Sequence, residues 1–200
     1  MDKTRYIIGI DPDVEKSGFA VLDTQTRTFT HIEPLSISNL FLGFFNHSDE
    51  KGFIRESVVI LEDSDSPTNW HLHNKMSPRV AAAIGHAAGM CHATQRHIQE
   101  IAEAFGFNVI LHHPLKKIWM GHDGKITQKE ISQFIPDLPK KMNQECRDAC
   151  LLAWSYANFP VHMPASFYTT ENLKKVGLEG FKYLTAREGE FLLKAGLKKH

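Results

Sequence analysis

Residues 6–23, "YIIGIDPDVEKSGFAVLD", contain two apolar runs separated by a short polar turn. The first run ends on a carboxylate, Asp11, and the second begins only a few residues later. Short apolar runs bounded by turn residues are typical of buried β-strands. The stretch therefore predicts one strand over 5–11, a direct return into a second strand over 17–23, and an acid at the end of the first strand.

Further apolar runs predict that this hairpin belongs to a mixed sheet. A third strand over 27–32 follows a polar turn, which indicates three antiparallel strands. Strands over 57–63 and 107–113 flank the longest predicted helix, over 78–105, and such a succession gives a right-handed parallel crossover. The expected fold class is α/β: a five-stranded mixed sheet, three antiparallel strands and then parallel strands, flanked by helices. Shorter helices are expected over 37–46, 127–135 and 143–158.

The predicted helix over 78–105 contains two glycines, Gly85 and Gly89, among other small residues. A glycine inside a helix costs about 1 kcal/mol relative to alanine, so its presence favours close packing. The partner can be the sheet or a second subunit, and the sequence leaves both alternatives open.

Composition suits one globular domain with a proper core, since 42% of the 200 residues are hydrophobic and 23% are charged. The sequence becomes charged and glycine-punctuated after Pro160, so we expect a domain over 1–159 and a C-terminal helical appendage over 160–200. The 23 basic residues balance 23 acidic ones. This balance argues against nucleic-acid binding by bulk charge alone, but not against a local basic patch.

Cysteine usage and hydropathy indicate a cytoplasmic protein. The three cysteines are odd in number and form no C-x-x-C motif, as is usual in a reducing compartment. No apolar run approaches the roughly 20 residues that a membrane span needs, and the N-terminal residues include no apolar signal region. We therefore expect a cytoplasmic location and no membrane partner.

Four acids stand where the predicted topology can gather them. Asp11 and Glu62 end strands, while Glu145 and Asp148 are three residues apart and share a face of the last long helix. Several carboxylates at one point repel each other unless cations compensate. Oxygen ligands suit Mg²⁺ or Mn²⁺, and two such ions roughly 3.5–4 Å apart can drive phosphodiester hydrolysis. Taken singly, each acid also fits a turn or a helix cap.

Five segments, in the family's order, resemble the RuvC-type Holliday-junction resolvases of the RNase H-like superfamily. Together they cover most of residues 6–157. The segments are "IIGIDPDVEKSGFAVLD" (7–23), "VVILEDSDSPTNWH" (58–71), "AAIGHAAGMCHATQRHI" (82–98), "HHPLKKIWMGHDGKITQKEI" (112–131) and "ECRDACLLAWSYA" (145–157).

The resemblance implies an RNase H-like fold and a crossover junction endodeoxyribonuclease acting in DNA recombination and repair. Such an enzyme is a homodimer that depends on Mg²⁺, for which Mn²⁺ substitutes, with two ions per site. It cuts symmetric strands of a four-way DNA junction, because a dimer presents two active sites to opposed strands. The positions that fall on the family's catalytic, metal-binding acids are Asp11, Glu62, Glu145 and Asp148.

A local basic cluster follows the fifth predicted strand and is expected to contact DNA phosphates. Lys116 and Lys129 fall near the family's lysines, and Lys117 and Lys125 belong to the same cluster. The alternative is an ordinary solvated face. Trp70, in a polar stretch, is a candidate to stack on an unpaired base, with a place in the core as its alternative.

The sequence departs from the family's pattern at three places. Asp13 stands where the family usually has glycine, Glu145 is longer than the usual Asp, and the aromatic that commonly follows the second acid is missing, the nearest being Trp70. These departures keep two alternatives open: a junction-binding protein without cleavage, and an RNase H-like nuclease acting on other branched DNA or on RNA–DNA hybrids. A phosphate-binding ATPase or sugar kinase of the actin–hexokinase type is a further alternative, but the chain is short for two lobes and has no second phosphate loop.

Overall fold

The computed structural model describes residues 4–47, 51–64, 77–115 and 119–161. Five strands form one sheet in these ranges, and each lies where an apolar run predicts it. The third strand is longer than expected, since it continues through Pro34 and ends at Leu35. The strands are β1 (Tyr6–Asp11), β2 (Ser17–Asp23), β3 (Thr28–Leu35), β4 (Ser57–Glu62) and β5 (Asn108–His112).

The strand order is β3-β2-β1-β4-β5. The pairs β1–β2 and β2–β3 are antiparallel, whereas β1–β4 and β4–β5 are parallel. This order confirms the predicted RNase H-like mixed sheet, in which β1 lies at the centre. The carboxyl ends of β1, β4 and β5 consequently meet at one edge of the sheet.

Helices flank the sheet, and two of them differ from prediction. Residues 51–56 form a short helix that the sequence does not indicate, and Phe53 and Ile54 of this helix pack against the core under the sheet. The helix expected over 127–135 stops at Ile131 and continues as turns, since Pro136 disfavours helix in the residue before it. The helices are α1 (Ile37–His47), α2 (Lys51–Glu56), α3 (Pro78–Ala104), α4 (Gln128–Ile131) and α5 (Gln144–Tyr156).

The two faces of the sheet bury separate cores. Successive strand residues point to opposite faces, so Ile7 packs beneath α5, whereas Ile8 and Ile10 pack beneath α1 and α3. In β4, Val58 and Ile60 likewise face the α5 side. By the same alternation, the last residues of these strands, Asp11 and Glu62, belong to the face that α5 covers.

The first half of α3 does not pack closely on the sheet. A Cβ added at Gly85 or at Gly89 would have no neighbour within 4 Å among the described residues. Close packing of these glycines against the sheet, one of the two alternatives, is therefore wrong, and packing against a second subunit stays a prediction. Within the described ranges, no helix is both long enough and apolar enough to cross a membrane.

The chain is described to residue 161, where Val161 is buried against the core beneath α5. The indole N–H of Trp154 donates to the carbonyl oxygen of Pro160 at 3.1 Å, which ties this segment to α5. The predicted domain limit at 159 and 160 stays a prediction, because residues 162–200 lie outside the described ranges.

Candidate active site

The register of β1 and β4 brings Asp11 and Glu62 side by side. The parallel pairing runs up to Ile10 opposite Leu61, so the next residue on each strand is an acid. Both acids are partly buried and belong to the α5 face. The negative charge of Glu62 is, after burial, the second cause that raises the pKa of Asp11.

Two glycines, Gly9 of β1 and Gly18 of β2, allow α5 to lie directly on these two strands. A Cβ at Gly9 would be 2.2 Å from the carbonyl oxygen of Ala149, and a Cβ at Gly18 would be 2.0 Å from that of Glu145. No side chain fits at these distances, so both positions require glycine. Because Gly18 pairs with Asp11 across the hairpin, this contact brings the start of α5 next to the end of β1.

The first turns of α5 carry the two remaining acids. Asn143 caps the helix, since its side-chain oxygen accepts the backbone N–H of Cys146 at 3.0 Å. Asp148 is buried and Glu145 is partly buried, on one side of the helix as their spacing predicts. Glu145 is the smallest of the acidic influences on Asp11, after Glu62 and Asp148.

Asp11 is the electrostatic centre of this carboxylate cluster, which comprises Asp11, Glu62, Glu145 and Asp148. Burial is the main reason that the pKa of Asp11 lies well above its usual value, and the charges of Glu62 and Asp148 raise it further. The nearby ammonium of Lys125 acts in the opposite direction. A buried acid among like charges favours a bound proton or a bound cation, so the cluster is suited to holding positive charge.

Both carboxylate oxygens of Asp148 have partners within the chain. The ammonium of Lys125 lies 3.1 Å from Oδ2, and the side-chain amide of Gln144 donates to Oδ1 at 2.8 Å. Burial raises the pKa of Asp148, although the charge of Lys125 and these two hydrogen bonds lower it. Burial also lowers the pKa of Lys125, but Asp148, Asp11 and Glu145 outweigh that effect, so Lys125 carries a raised pKa and stays charged.

A buried glutamate builds the loop that carries Lys125. Glu130 is 2% exposed; its Oε1 accepts the backbone N–H of Met120 at 3.0 Å, and its Oε2 accepts both the N–H and the hydroxyl of Thr127. The hydroxyl of Thr127 in turn accepts the N–H of Glu130, which forms a capping box at the start of α4. The loop between these residues is therefore fixed at both ends.

A small cleft lies at this edge of the sheet. Glu62, Lys125 and Asp148 line it together with apolar side chains, including that of Trp119, and its volume is about 50 Å³. The backbone N–H of Leu115 donates to Oε2 of Glu62 at 3.4 Å in the same place. A space of this size admits a few water-sized species, since about 10–15 Å³ of such volume holds one water.

The carboxylate cluster fits a hard divalent cation by the type of its donors, which are oxygens. As the side chains stand, no group of three or more His, Cys, Asp or Glu residues in the described ranges is arranged to hold a metal ion. The other three acids raise the pKa of Asp11 through their charges, so the four acids do influence one another. The oxygens of Asp148, however, contact Lys125 and Gln144. The roles of the four acids as metal ligands and catalytic groups stay predictions.

The other predicted site residues are only partly placed. Lys129 is exposed on α4, next to the buried Glu130. The structure does not describe the remaining three, which are Trp70, Lys116 and Lys117. Asp13, which departs from the family's pattern, has a local role in the hairpin: its Oδ1 accepts the backbone N–H groups of Glu15 and Lys16 at 2.9 and 3.3 Å.

Two polar residues near the site have no signal in the sequence. Gln144 holds Asp148, as described above, and Gln95 of α3 is 1% exposed. The side-chain oxygen of Gln95 accepts the backbone N–H and the hydroxyl of Ser64 at 2.9 and 2.6 Å, which anchors the chain just after Glu62. A glutamine inside a helix is ordinarily a solvent-facing residue, so only the three-dimensional arrangement assigns these roles.

A comparison with protein-family models finds no match, and a comparison with curated proteins finds none either. Among solved structures, the chain is similar to T. thermophilus RuvC in complex with a Holliday junction substrate, at 14% identity and a TM-score of 0.48. A second structure of Thermus thermophilus RuvC is similar at 15% identity and a TM-score of 0.47. Each comparison covers 76% of this chain and 93% of the other. The fold itself is established by the strand order described above.

Proposed function

We propose that the protein is a metal-dependent endonuclease that hydrolyses phosphodiester bonds in branched DNA, with the four-way junction as its substrate. One observation carries this proposal: the ends of β1 and β4 and the start of α5 bring acids together around Asp11, whose pKa is raised well above its usual value by burial and by Glu62 and Asp148. Burying like charges is costly. A cluster kept at that cost at an open sheet edge favours a catalytic role over a structural one.

The residues that would hold Mg²⁺, or Mn²⁺ in its place, are Asp11, Glu62, Glu145 and Asp148. Two ions bound there would supply an activated water and stabilise the leaving oxygen. The chain's own part is to hold the carboxylates at one edge of the sheet, to exclude bulk water with the apolar wall that includes Trp119, and to place Lys125 beside them.

On the nucleic-acid side, we propose that phosphates are contacted by Lys116, Lys117 and Lys129, and that Trp70 stacks on an unpaired base. The net charge of zero means that binding depends on such local contacts rather than on the field of the whole protein. A homodimer would present two sites to opposed strands, which explains paired symmetric cuts. Among the described residues, nothing lies within 4 Å of a Cβ placed at Gly85 or Gly89 of α3, and we propose that a second subunit packs there.

One observation favours a second candidate, a junction-binding protein without cleavage. Both oxygens of Asp148 are engaged by side chains of the chain itself, Lys125 and Gln144. If this arrangement persists when divalent ions are present, Asp148 is a poorer metal ligand, and the protein would recognise branched DNA without cutting it.

The test is cleavage of a labelled four-way junction with Mg²⁺ or Mn²⁺, beside duplex, flap and RNA–DNA hybrid substrates. We expect symmetric cuts with 5′-phosphate ends in the junction and little cleavage of the duplex. Asp11→Asn and Glu62→Gln should abolish cutting while junction binding persists, and Glu15→Gln is the matched control because Glu15 is an exposed acid of the same hairpin. If the folded wild type binds the junction without cutting it, the protein is the junction-binding protein of the second candidate. If it cleaves another substrate preferentially, that substrate replaces the four-way junction in the proposal.

A further inference from the structure

Lys125 and Gln144 together contact both carboxylate oxygens of Asp148. The ammonium of Lys125 is 3.1 Å from Oδ2, and the amide of Gln144 donates to Oδ1 at 2.8 Å. Asp148 is only 8% exposed at its side chain, whereas Lys125 is 40% exposed. A carboxylate that is buried so far needs compensation, and here the compensation comes from one partly exposed cation and one side-chain amide.

The backbone of Lys125 is held firmly. Its N–H donates to the carbonyl oxygen of His122 at 3.1 Å, and its own carbonyl oxygen accepts the N–H of Gly121 at 2.9 Å. A Cβ at Gly121 would be 2.3 Å from that same oxygen, so the turn is closed too tightly for any other residue. The loop thus fixes the position of the Lys125 backbone.

The next residue ties this loop to α5. The carbonyl oxygen of Ile126 accepts the guanidinium of Arg147 at 3.0 Å and the amide of Gln144 at 3.3 Å. Gln144 therefore contacts both the loop and Asp148, so one side chain links the loop to the acid. These hydrogen bonds between the loop and α5 place Lys125 next to the carboxylate cluster. Lys125 therefore differs from an ordinary surface lysine.

We propose that Lys125 is a tethered counter-cation, which holds Asp148 in the metal-free protein and competes directly with a divalent ion for Oδ2. The inference rests on the proposed metal-dependent function and adds a residue that regulates its site. The partial exposure of the side chain allows the ammonium to leave Asp148 while the loop keeps its backbone bonds. Metal binding then requires the lysine to withdraw, and this lowers the affinity of the site for the ion.

Electrostatics support the competition. Burial is the largest influence on the pKa of both Asp11 and Asp148 and raises it, and Lys125 lowers both pKa values. One ammonium therefore already neutralises part of the charge that would attract a divalent ion. Two cations that neutralise the same carboxylates compete with each other, because each reduces the negative charge that attracts the other.

Titration calorimetry with Mn²⁺ on the full chain tests this competition without reference to cleavage. We expect Lys125→Met to lower the dissociation constant for Mn²⁺ by about tenfold, a change large enough to separate from a weak field effect. Lys140→Met is the matched control, since Lys140 is an exposed lysine outside the cluster. Removing that screened charge should change the affinity by less than about twofold.

Thermal unfolding gives a second readout. In EDTA, Lys125→Met should unfold at a lower temperature than the wild type, because Asp148 loses its counter-ion. Saturating Mn²⁺ should then raise its melting temperature by more than it raises that of the wild type, since tighter binding stabilises more. If Lys125→Met fails to fold without metal, Lys125→Gln carries the same comparison, because an amide keeps a donor for Asp148 but removes the charge.

The outcomes separate this inference from the proposed function. Acid-dependent Mn²⁺ binding that Asp148→Asn abolishes, with no gain in Lys125→Met, overturns the inference and leaves the metal site standing. Equal gains in Lys125→Met and Lys140→Met also overturn it, because the effect is then a general field. Binding by neither the wild type nor Lys125→Met overturns the inference together with the metal-dependent function.

Discussion

Gly18 of β2 lies directly against the backbone carbonyl of Glu145 in α5, so that a Cβ at Gly18 would be 2.0 Å from that oxygen. Gly18 is also the partner of Asp11 in the register of the hairpin. The contact that seats α5 on the sheet is therefore the one that sets the separation between Asp11 and the acids of α5. The carboxylate cluster depends on a position that carries no side chain.

Gly18→Ala should destabilise the fold and disperse the cluster, because the obstacle is backbone and cannot move aside as a side chain can. Overpacking of this kind costs typically about 1–3 kcal/mol, and each kcal/mol lowers the melting temperature of a domain of this size by about 2–4 °C. Gly43→Ala is the control, since a Cβ at Gly43 of α1 meets nothing within 4 Å among the described residues. Urea and thermal unfolding measure both variants.

In contrast with Gly18→Ala, the Gly43→Ala control should be neutral or stabilising by up to about 1 kcal/mol, as alanine is the better helix former. An unchanged melting temperature for Gly18→Ala would show that α5 can lift from β2 at no cost, and the seating of α5 would then not determine the geometry of the cluster.

Asp11→Asn should stabilise the metal-free protein at neutral pH. Burial, Glu62 and Asp148 raise the pKa of Asp11 in the folded state, so the stability that its protonated form contributes is fully present below about pH 4 and is lost as the pH rises through the raised pKa. The variant is always neutral and escapes that loss. Its advantage over the wild type, measured by thermal unfolding in EDTA, should therefore be absent near pH 3 and grow toward pH 8.

The control for this pH series is Asp13→Asn, which keeps the side-chain oxygen that caps the hairpin at Glu15 and Lys16. A melting temperature of Asp11→Asn that stays below that of the wild type at every pH would mean that Asp11 is a structural acid.

The strands and their acids were predictable from sequence because both signals are local. Apolar runs and turn residues predicted the second strand over 17–23, and the structure has Ser17–Asp23. The relation between Asp11 and Glu62 followed from strands that end on acids and from one parallel crossover. The register of the two strands then brings the acids together, since alternation places the last residue of each strand on the same face.

The polar support of the site was not predictable, because it depends on contacts between distant residues. Lys125 was one member of a basic cluster in the sequence, and only the loop held by Glu130 brings it to Asp148. Gln144 and Gln95 carry no pattern that separates them from surface amides. The extent of α4 was overestimated for a different, local reason, because the chain forms turns after Ile131 and Pro136 disfavours helix in the residue before it.

Glu130→Gln should destabilise the loop that carries Lys125. Three donors face the two oxygens of Glu130, so an amide must turn its NH₂ group toward at least one N–H. A buried donor left without an acceptor costs about 1–3 kcal/mol, which urea unfolding will measure. The control is Glu103→Gln, because Glu103 is an exposed acid of α3 whose side chain accepts the amide of Gln99 at the surface.

The same Glu130→Gln variant also probes the link to the carboxylate cluster. If the loop positions Lys125, the variant should bind Mn²⁺ with an affinity between those of the wild type and Lys125→Met. A destabilised variant with wild-type Mn²⁺ affinity would show that Lys125 reaches Asp148 without help from the loop.

Lys129→Met should weaken binding to a four-way junction and flatten its dependence on salt. Each phosphate that a lysine neutralises contributes about 0.9 to the slope of the logarithm of affinity against the logarithm of salt concentration, so losing one contact lowers the slope by about one. Fluorescence anisotropy with a labelled junction in EDTA, between about 50 and 200 mM salt, measures this without cleavage. Lys140→Met, an exposed lysine beyond α4, is the control and should leave the slope unchanged, because a neutral protein binds through particular contacts and not through its total charge. Equal losses in both variants would show that Lys129 acts only through the general field and makes no contact with a phosphate.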